Sequence, residues 1–370
     1  MTAPTGRRGA GRHQRRSRVA QVGPDPEGRG GMAAVMRQLS LLPVARRYPM
    51  DTIVTYRGPR PVGRALTFAI ALARLFVWCA TPGPRVVHVH ATVRGSLLRK
   101  SLCVLLAGAF RRPVLLHLHA GAGDIEAFAH QGGRLRRRLV RTAFQRADAV
   151  LAVSEASAAR LRPRFGRDDV IVVHNPAPES AVSDECRGAK PEGQVDVLYL
   201  GGFEKPVKGG DVLVAALPEI ASACPDLAIT LAGPGEAVEL PAVGERVRWA
   251  GWLEPEAKRR ALACADVFVL PSRSEGLPVA VLEAMANGLA IVASRVGGIP
   301  EILVDGRDAV LVDAEDPAAL ADAVIVLARD PCRREVLGEA ARRRAAALNR
   351  DDVSDRLAEL YERLLDAGRS

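Results

Sequence analysis

Residues 265–288 read Ala265-Asp-Val-Phe-Val-Leu-Pro-Ser-Arg-Ser-Glu275-Gly-Leu-Pro-Val-Ala-Val-Leu-Glu283-Ala-Met-Ala-Asn-Gly288. The apolar run Asp266–Leu270 stops at Pro271-Ser272, a polar loop carries Glu275, and a helical pattern opens at Val279. A short run rich in Val and Leu that does not alternate reads as a strand buried on both faces, and such strands belong to parallel sheets covered by helices. The same unit recurs in both directions. Downstream the runs are Ala290–Ala293 and Ala309–Val312; upstream in the same half they are Val195–Gly201, Leu227–Gly233 and Val247–Ala250. The first half holds Arg18–Gly23, Asp51–Thr55, Val86–His90, Val114–Leu118, Ala149–Val153 and Val170–Val173. Helical stretches separate them at Met32–Leu41, Ala65–Cys79, Leu97–Phe110, Leu135–Arg146, Asp211–Ala223, Val279–Asn287 and Pro317–Ala328. Alternation of this kind predicts doubly wound α/β architecture.

Two groups of six runs do not suggest one sheet. Pro176 to Gly193, with three prolines and no apolar period, reads as a linker (176–193) between a domain at 18–175 and a domain at 194–345. Residues 1–17 read as a disordered basic tail, with Arg7, Arg8, Arg12, Arg15 and Arg16 and no acid. No secretion signal is expected, because Gly23, Pro24 and Pro26 arrive before any apolar core. Residues 346–370 read as an amphipathic helix expected to pack back on the first domain. The most apolar stretch, Ala65–Ala80, has 16 residues and includes Arg74. A spanning helix needs about 20 apolar residues, so a buried helix and no transmembrane segment are expected.

The 370 residues are 48% hydrophobic and 25% charged, which excludes a disordered, collagen-like or disulfide-framework chain. The net charge of +10 points to a phosphate-bearing ligand, a polyanion or an anionic membrane surface. Six cysteines without a Cys-x-x-Cys pair speak against a metal cage and fit a reducing cytoplasm.

Ligands of doubly wound sheets bind beyond the carboxyl ends of the strands, and the candidate motifs fall there. Gly28-Arg-Gly30-Gly31 follows the first run and precedes a helix, where glycine lets the backbone approach a ligand and the helix start offers N–H groups to an anion. A tight turn would need the same glycines. His88 with His90, and His117 with His119, share strand faces by the period of two. His119 precedes Ala120-Gly-Ala-Gly123, which reads as a flexible loop, and is the histidine expected in the site. His88 and His117 read as core or supporting residues, and zinc is disfavoured for want of a nearby Asp, Glu or Cys. In Gly201-Gly202-Phe-Glu-Lys205-Pro-Val-Lys208-Gly-Gly210, two glycine pairs bracket two lysines, a pattern suited to a diphosphate. Glu275 precedes a helix and Glu283 lies inside it; carboxylates are bidentate acceptors, as pairs of hydroxyls require. The N–H groups of Gly276 and Leu277 would meet a phosphate at the helix start.

The segment 265–288, continued by Ile291-Val-Ala-Ser-Arg-Val-Gly-Gly-Ile-Pro-Glu301-Ile, resembles the signature of family-four glycosyltransferases of the GT-B fold. The resemblance extends to Gly30-Gly31, His119, Ala147–Glu155, Val173-His-Asn-Pro176 and Lys208-Gly209, covering about residues 18–330. The Gly-Gly-Met and Leu-Leu-Arg99-Lys100-Ser101 pieces are similar to members that build capsular or exopolysaccharide repeats. The resemblance implies two Rossmann-like domains facing across a cleft and retaining transfer from a UDP- or GDP-sugar to a hydroxyl acceptor. The acceptor implied is a glycan or lipid-linked glycan, with a small natural product as the alternative. It implies Glu275 on the donor sugar, Glu283 on the ribose, Lys208 on the diphosphate and His119 near the sugar. Gly202 stands where the family usually has Arg, and Lys205 is a candidate to supply that charge. Base contacts are expected from the loop of Trp252 and Leu253.

No cofactor is expected, since the nucleotide sugar is a substrate, and no Asp-x-Asp pattern calls for a metal. A dinucleotide-dependent oxidoreductase would need G-x-G-x-x-G, which is missing. A specific nucleic-acid partner is not expected with aromatics at 4%. Arg134–Arg146 holds six arginines and no acid. On a helix, Arg134, Arg137, Arg138 and Arg141 share one side, opposite an apolar arc that includes Leu135. That basic side would suit an inner membrane face, or simply water.

Overall fold

A computed structural model describes residues 17–58, 61–93, 95–130, 133–178, 193–236, 238, 240, 246–348 and 350–367. The basic tail and most of the linker lie outside the described residues. Two parallel sheets carry the strands. The first runs β2-β1-β3-β4-β5-β6, from β1 (Arg18–Pro24), β2 (Met50–Tyr56), β3 (Arg85–Ala91), β4 (Val114–Leu118), β5 (Ala149–Ala152) and β6 (Ile171–Val172). The second runs β12-β11-β10-β7-β8-β9, from β7 (Val195–Tyr199), β8 (Leu227–Ala232), β9 (Val247–Gly251), β10 (Val267–Leu270), β11 (Ala290–Ser294) and β12 (Val310–Val312). Every run read as a strand is one, within a few residues at its ends. All of β4, β5, β10 and β11 is buried, which is why these segments carry no alternation.

The crossovers of the first lobe are α1 (Gly31–Leu41), α2 (Pro43–Arg47), α3 (Pro61–Ala80), α4 (Gly95–Ala109), α5 (Ala122–His130), α6 (Arg134–Arg146) and α7 (Glu155–Phe165). The second lobe adds α8 (Gly210–Ala223), α9 (Pro255–Cys264), α10 (Val279–Ala286), α11 (Ile299–Ile302), α12 (Pro317–Arg329) and α13 (Pro331–Ala347). The last helix, α14 (Arg350–Ala367), crosses back to the first lobe. There Leu357, Leu360, Tyr361 and Leu364 join Val19, Val86 and Leu115 in one core cluster. The backbone N–H of Val44 donates to Ser354 Oγ at 2.8 Å.

Three readings need correction. The stretch Ala65–Ala80 is not a buried helix: only 17% of Val62–Ala80 lies inside the fold. It covers β2, the edge strand, and touches the core with one face through Ala71, Leu75 and Cys79. Residues 120–123 are not a flexible loop, because α5 starts at Ala122. Leu135 does not face the core but is 82% exposed. Cys79, Cys103, Cys224 and Cys332 are free thiols.

Candidate active site

The strand order of the second sheet reverses at β7 and β10, which lie side by side while their neighbours in sequence lie on opposite flanks. Such a switch point opens a crevice at the carboxyl ends of the two strands. The loop after β7 carries Lys208 and the loop after β10 carries Glu275, so the topology alone brings them together. Lys208 Nζ donates to Glu275 Oε1 at 2.7 Å and to Oε2 at 2.9 Å. Ser272 Oγ donates to Glu275 Oε1 at 2.7 Å. The Glu275 side chain is 7% exposed and that of Lys208 is 29% exposed. An ammonium has three donors, so two on Glu275 leave one for a ligand.

Backbone packing fixes these loops. Gly209, at φ +68°, sits so close to Pro271 that an added Cβ would lie 1.8 Å from its carbonyl oxygen. Gly202, at φ +68°, has the same relation to Pro234, with 2.2 Å to its carbonyl. The residue where relatives of this pattern carry Arg therefore lies against a neighbouring backbone that only glycine admits. Lys205 is exposed at the start of the 3-10 turn Pro206–Lys208, and the structure does not join it to the Lys208–Glu275 pair. Arg273 buttresses that turn: it donates to the Pro206 carbonyl at 2.5 Å and pairs with Asp211 and Glu315.

At the start of α10 the carbonyl of Gly276 accepts from Gly298 N at 2.9 Å, and that of Leu277 accepts from Asn175 Nδ2 at 2.8 Å. Among the described residues the N–H groups of Gly276 and Leu277 have no partner. Glu283, one turn into α10, accepts from Lys258 Nζ at 2.6 Å. Lys258 was missed in the sequence because α9 has no motif around it; only the fold sets it beside Glu283. Leu253 and Trp252 are half-buried after β9, and the guanidinium of Arg29 stands 5.2 Å from the Trp252 ring centre.

The first lobe meets this crevice with the carboxyl ends of β1, β3 and β4. Gly30, at φ +115°, has open space where a Cβ would stand, and Gly31 faces Val279 of α10. His119 ends β4. A Cβ on Gly121, just beyond it, would lie 2.6 Å from Ser274 Oγ and 2.8 Å from the backbone of Glu275. The glycines after His119 thus serve close approach of the two lobes rather than flexibility. Ser157 Oγ ties the Ala120 carbonyl down at 2.7 Å. Glu301 of α11 reaches across and accepts from the N–H groups of Glu155 and Ala156 at 2.9 Å each, at the start of α7. Burial pushes the Glu301 carboxyl up, but His174 and these two N–H groups outweigh it and hold it below its usual range.

His119 is one end of a ladder. His90 Nδ1 and His119 Nε2 are 3.0 Å apart, His88 Nε2 and His117 Nδ1 are 3.3 Å apart, and His88 Nδ1 meets the Tyr361 hydroxyl at 2.7 Å. The rings of His88 with His90 and of His117 with His119 pack at 4.1 Å between centres. Burial pulls His88 and His119 down to about 3 and His90 and His117 well below the usual range, so all are neutral near pH 7. Nitrogens of His88, His90 and His117 lie within 4.8 Å of one another, close enough to hold a metal ion. As the side chains stand, His88 spends both ring nitrogens, on Tyr361 and on His117, and the hydrogen bonds and ring contacts join the four rings into a ladder that ends at His119. Beside it Lys100, 2% exposed, donates to Thr55 Oγ1, and burial draws its pKa down to about 7.

The family model for "Glycosyltransferase Family 4" matches residues 23–180, and that for "Glycosyl transferases group 1" matches residues 194–330. The chain is 34% identical over 318 residues to an alpha-maltose-1-phosphate synthase of Mycolicibacterium smegmatis, covering 75% of this chain and 79% of the relative. It is 33% identical over 251 residues to a GDP-mannose-dependent alpha-(1-6)-phosphatidylinositol monomannoside mannosyltransferase of the same organism, covering 60% of this chain. The chain spans 65% of that relative's length and 60% of that of a phosphatidyl-myo-inositol mannosyltransferase of Mycobacterium leprae. Among solved structures, sucrose-phosphate synthase of Thermosynechococcus elongatus aligns with a TM-score of 0.77 at 21% identity, over 95% of this chain and 100% of the other. HepE of Anabaena in complex with UDP-glucose aligns with a TM-score of 0.71 at 17% identity, over 93% and 99%. These likenesses establish the GT-B fold.

Proposed function

The chain belongs to the group 1, family-four glycosyltransferases, and from that premise we propose that it moves a sugar from a nucleoside-diphosphate sugar to a hydroxyl acceptor, retaining the anomeric configuration. The observation that carries the reading is the Lys208–Glu275 pair at the β7/β10 switch point, beside the unpartnered N–H groups of Gly276 and Leu277. A diphosphate over the start of α10 meets those N–H groups and the third donor of Lys208. Glu275, kept in place by Lys208 and Ser272, offers its remaining lone pairs to donor sugar hydroxyls. Glu283, with one oxygen on Lys258, offers the other to the ribose diol. A base against the half-buried Trp252–Leu253 loop completes the donor.

Charge develops on the leaving diphosphate as the bond from the anomeric carbon to the phosphate oxygen breaks. In this reading that charge meets the third donor of Lys208 and the helix-start N–H groups, and donors in place before the reaction stabilise a transition state with little reorganisation. The acceptor hydroxyl bonds to the same face of the sugar, and its proton passes to the leaving phosphate oxygen. Glu275, held by Lys208 and Ser272, binds rather than attacks. His119, neutral and anchored through His90, offers a hydrogen bond on the acceptor side. Relatives whose names include phosphatidylinositol substrates support a lipid-linked or glycan acceptor in envelope or polysaccharide synthesis.

The test is a screen of UDP- and GDP-sugars against glycan and lipid acceptors, with the anomeric configuration of the product read by NMR. Glu275→Gln should lower turnover more than about tenfold without loss of fold. An inverted product removes the retaining mechanism, and near-normal turnover in the variant removes Glu275 from the site.

A further inference from the structure

The crossover helix α3 is apolar on the side that faces away from the protein. Val62 is 82% exposed, Leu66 62%, Ile70 51%, Phe76 52% and Val77 65%. Ala65, Ala69, Ala73 and Ala80 lie between them and are exposed as well. At 3.6 residues per turn these nine positions form one continuous arc, and no polar side chain interrupts it. A surface helix in water shows the opposite pattern, and a contiguous apolar patch of this kind marks a partner.

The neighbours say which partner. Helices α3, α4 and α6 pack side by side on one face of the first sheet. Their sequences contain no Asp and no Glu. From α6 the exposed side chains include Arg134, Arg137, Arg138, Arg141 and Arg146, with Leu135 among them. We infer that the α3–α4–α6 face of the first lobe rests on an anionic lipid surface, α3 lying in the interface with its apolar arc toward the acyl chains and the α6 arginines on the headgroups. An apolar stripe flanked by basic residues is the chemistry of an interfacial helix on anionic lipid. A second copy seated on the same face would bring two rows of arginine together without a carboxylate between them. Nor does α3 cross the bilayer. It joins β2 to β3, and both pair with β1 in one sheet, so the strands at its two ends stay in the same aqueous compartment.

This inference stands apart from the sugar-transfer reading and is tested without it. Full-length protein carries Arg7, Arg8, Arg12, Arg15 and Arg16 changed to Gln throughout, so that the N-terminal arginines do not bind vesicles by themselves. It is cosedimented with vesicles of phosphatidylcholine alone or mixed with phosphatidylglycerol. One variant has Leu66→Gln, Ile70→Gln and Val77→Gln; another has Arg134→Gln, Arg137→Gln, Arg138→Gln and Arg141→Gln. All these side chains are exposed, so melting temperature and nucleoside-diphosphate affinity in solution should match the parent. The expected result is binding of the parent to the anionic vesicles, lowered at least about tenfold in each variant. Equal binding by the α3 variant and the parent overturns the inference, as does failure of the parent to bind at low salt. A parent dimer that the α3 variant dissolves overturns it too, in favour of a second copy. Loss of nucleotide binding in the parent would count against the sugar-transfer reading alone.

Discussion

Four neutral histidines enclosed in the first lobe make its stability depend on pH in a defined direction. In the folded chain His88 and His119 sit at about 3, and His90 and His117 also lie well below the ordinary value. Unfolded, each returns to about 6.5. Below that value the unfolded state binds protons that the folded state refuses, so stability is present above pH 6.5 and is lost as pH falls toward 3. A histidine kept neutral costs the folded state about 0.2 kcal/mol at pH 7 and about 1.4 kcal/mol at pH 5.5. Four of them titrating independently sum to about 5 kcal/mol over that interval, a large part of a typical folding free energy. Urea unfolding followed through the first lobe between pH 7 and 5.5 measures the loss. Replacing His90 and His117 together by Asn should halve the slope. A flat midpoint across this range, or imidazole resonances assigned to His88, His90, His117 or His119 titrating near 6.5 in the folded protein, refutes the neutral ladder.

Further predictions concern the loops and the diphosphate. Gly297, at φ +55°, would place a Cβ 1.8 Å from the Glu275 carbonyl, so Gly297→Ala should destabilise the second lobe by roughly 1–3 kcal/mol and abolish turnover; a variant with parental melting and activity would mean the Glu275 loop yields freely. Since Lys208 and the start of α10 carry the diphosphate charge in this account, turnover should survive EDTA. Activity lost to the chelator and restored by magnesium or manganese would contradict that.

The strands were legible because burial on both faces writes itself as Val-, Ile- and Leu-rich runs, and all of β10 and β11 is buried. Lys208 and Glu275 were legible as well, since switch-point loops carry their residues just after strands. What the sequence hid was contact between distant elements. Lys258 meets Glu283 only because α9 is folded against the second sheet, and Tyr361 reaches His88 only because α14 crosses back. Glu301 belongs to a recognisable segment, yet its hold on the start of α7 depends on how the lobes face each other. Helices α5, α7 and α9 were missed because they are short and rich in Ala, Gly or charge, so no apolar period announces them. The burial of α3 was misjudged for a different reason. Composition measures how apolar a helix is, not whether anything in the fold covers it.

The account rests on a nucleoside diphosphate held by Lys208 at the crevice of β7 and β10. Calorimetric titration of UDP- and GDP-sugars, and of the free diphosphates, into the parent and Lys208→Ala addresses this directly. A charge-assisted contact to phosphate contributes roughly 1.5–3 kcal/mol, so the variant should bind both sugar and free diphosphate about one to two decades more weakly. Equal affinity in parent and variant, or no binding of any nucleotide sugar by the parent, would contradict it.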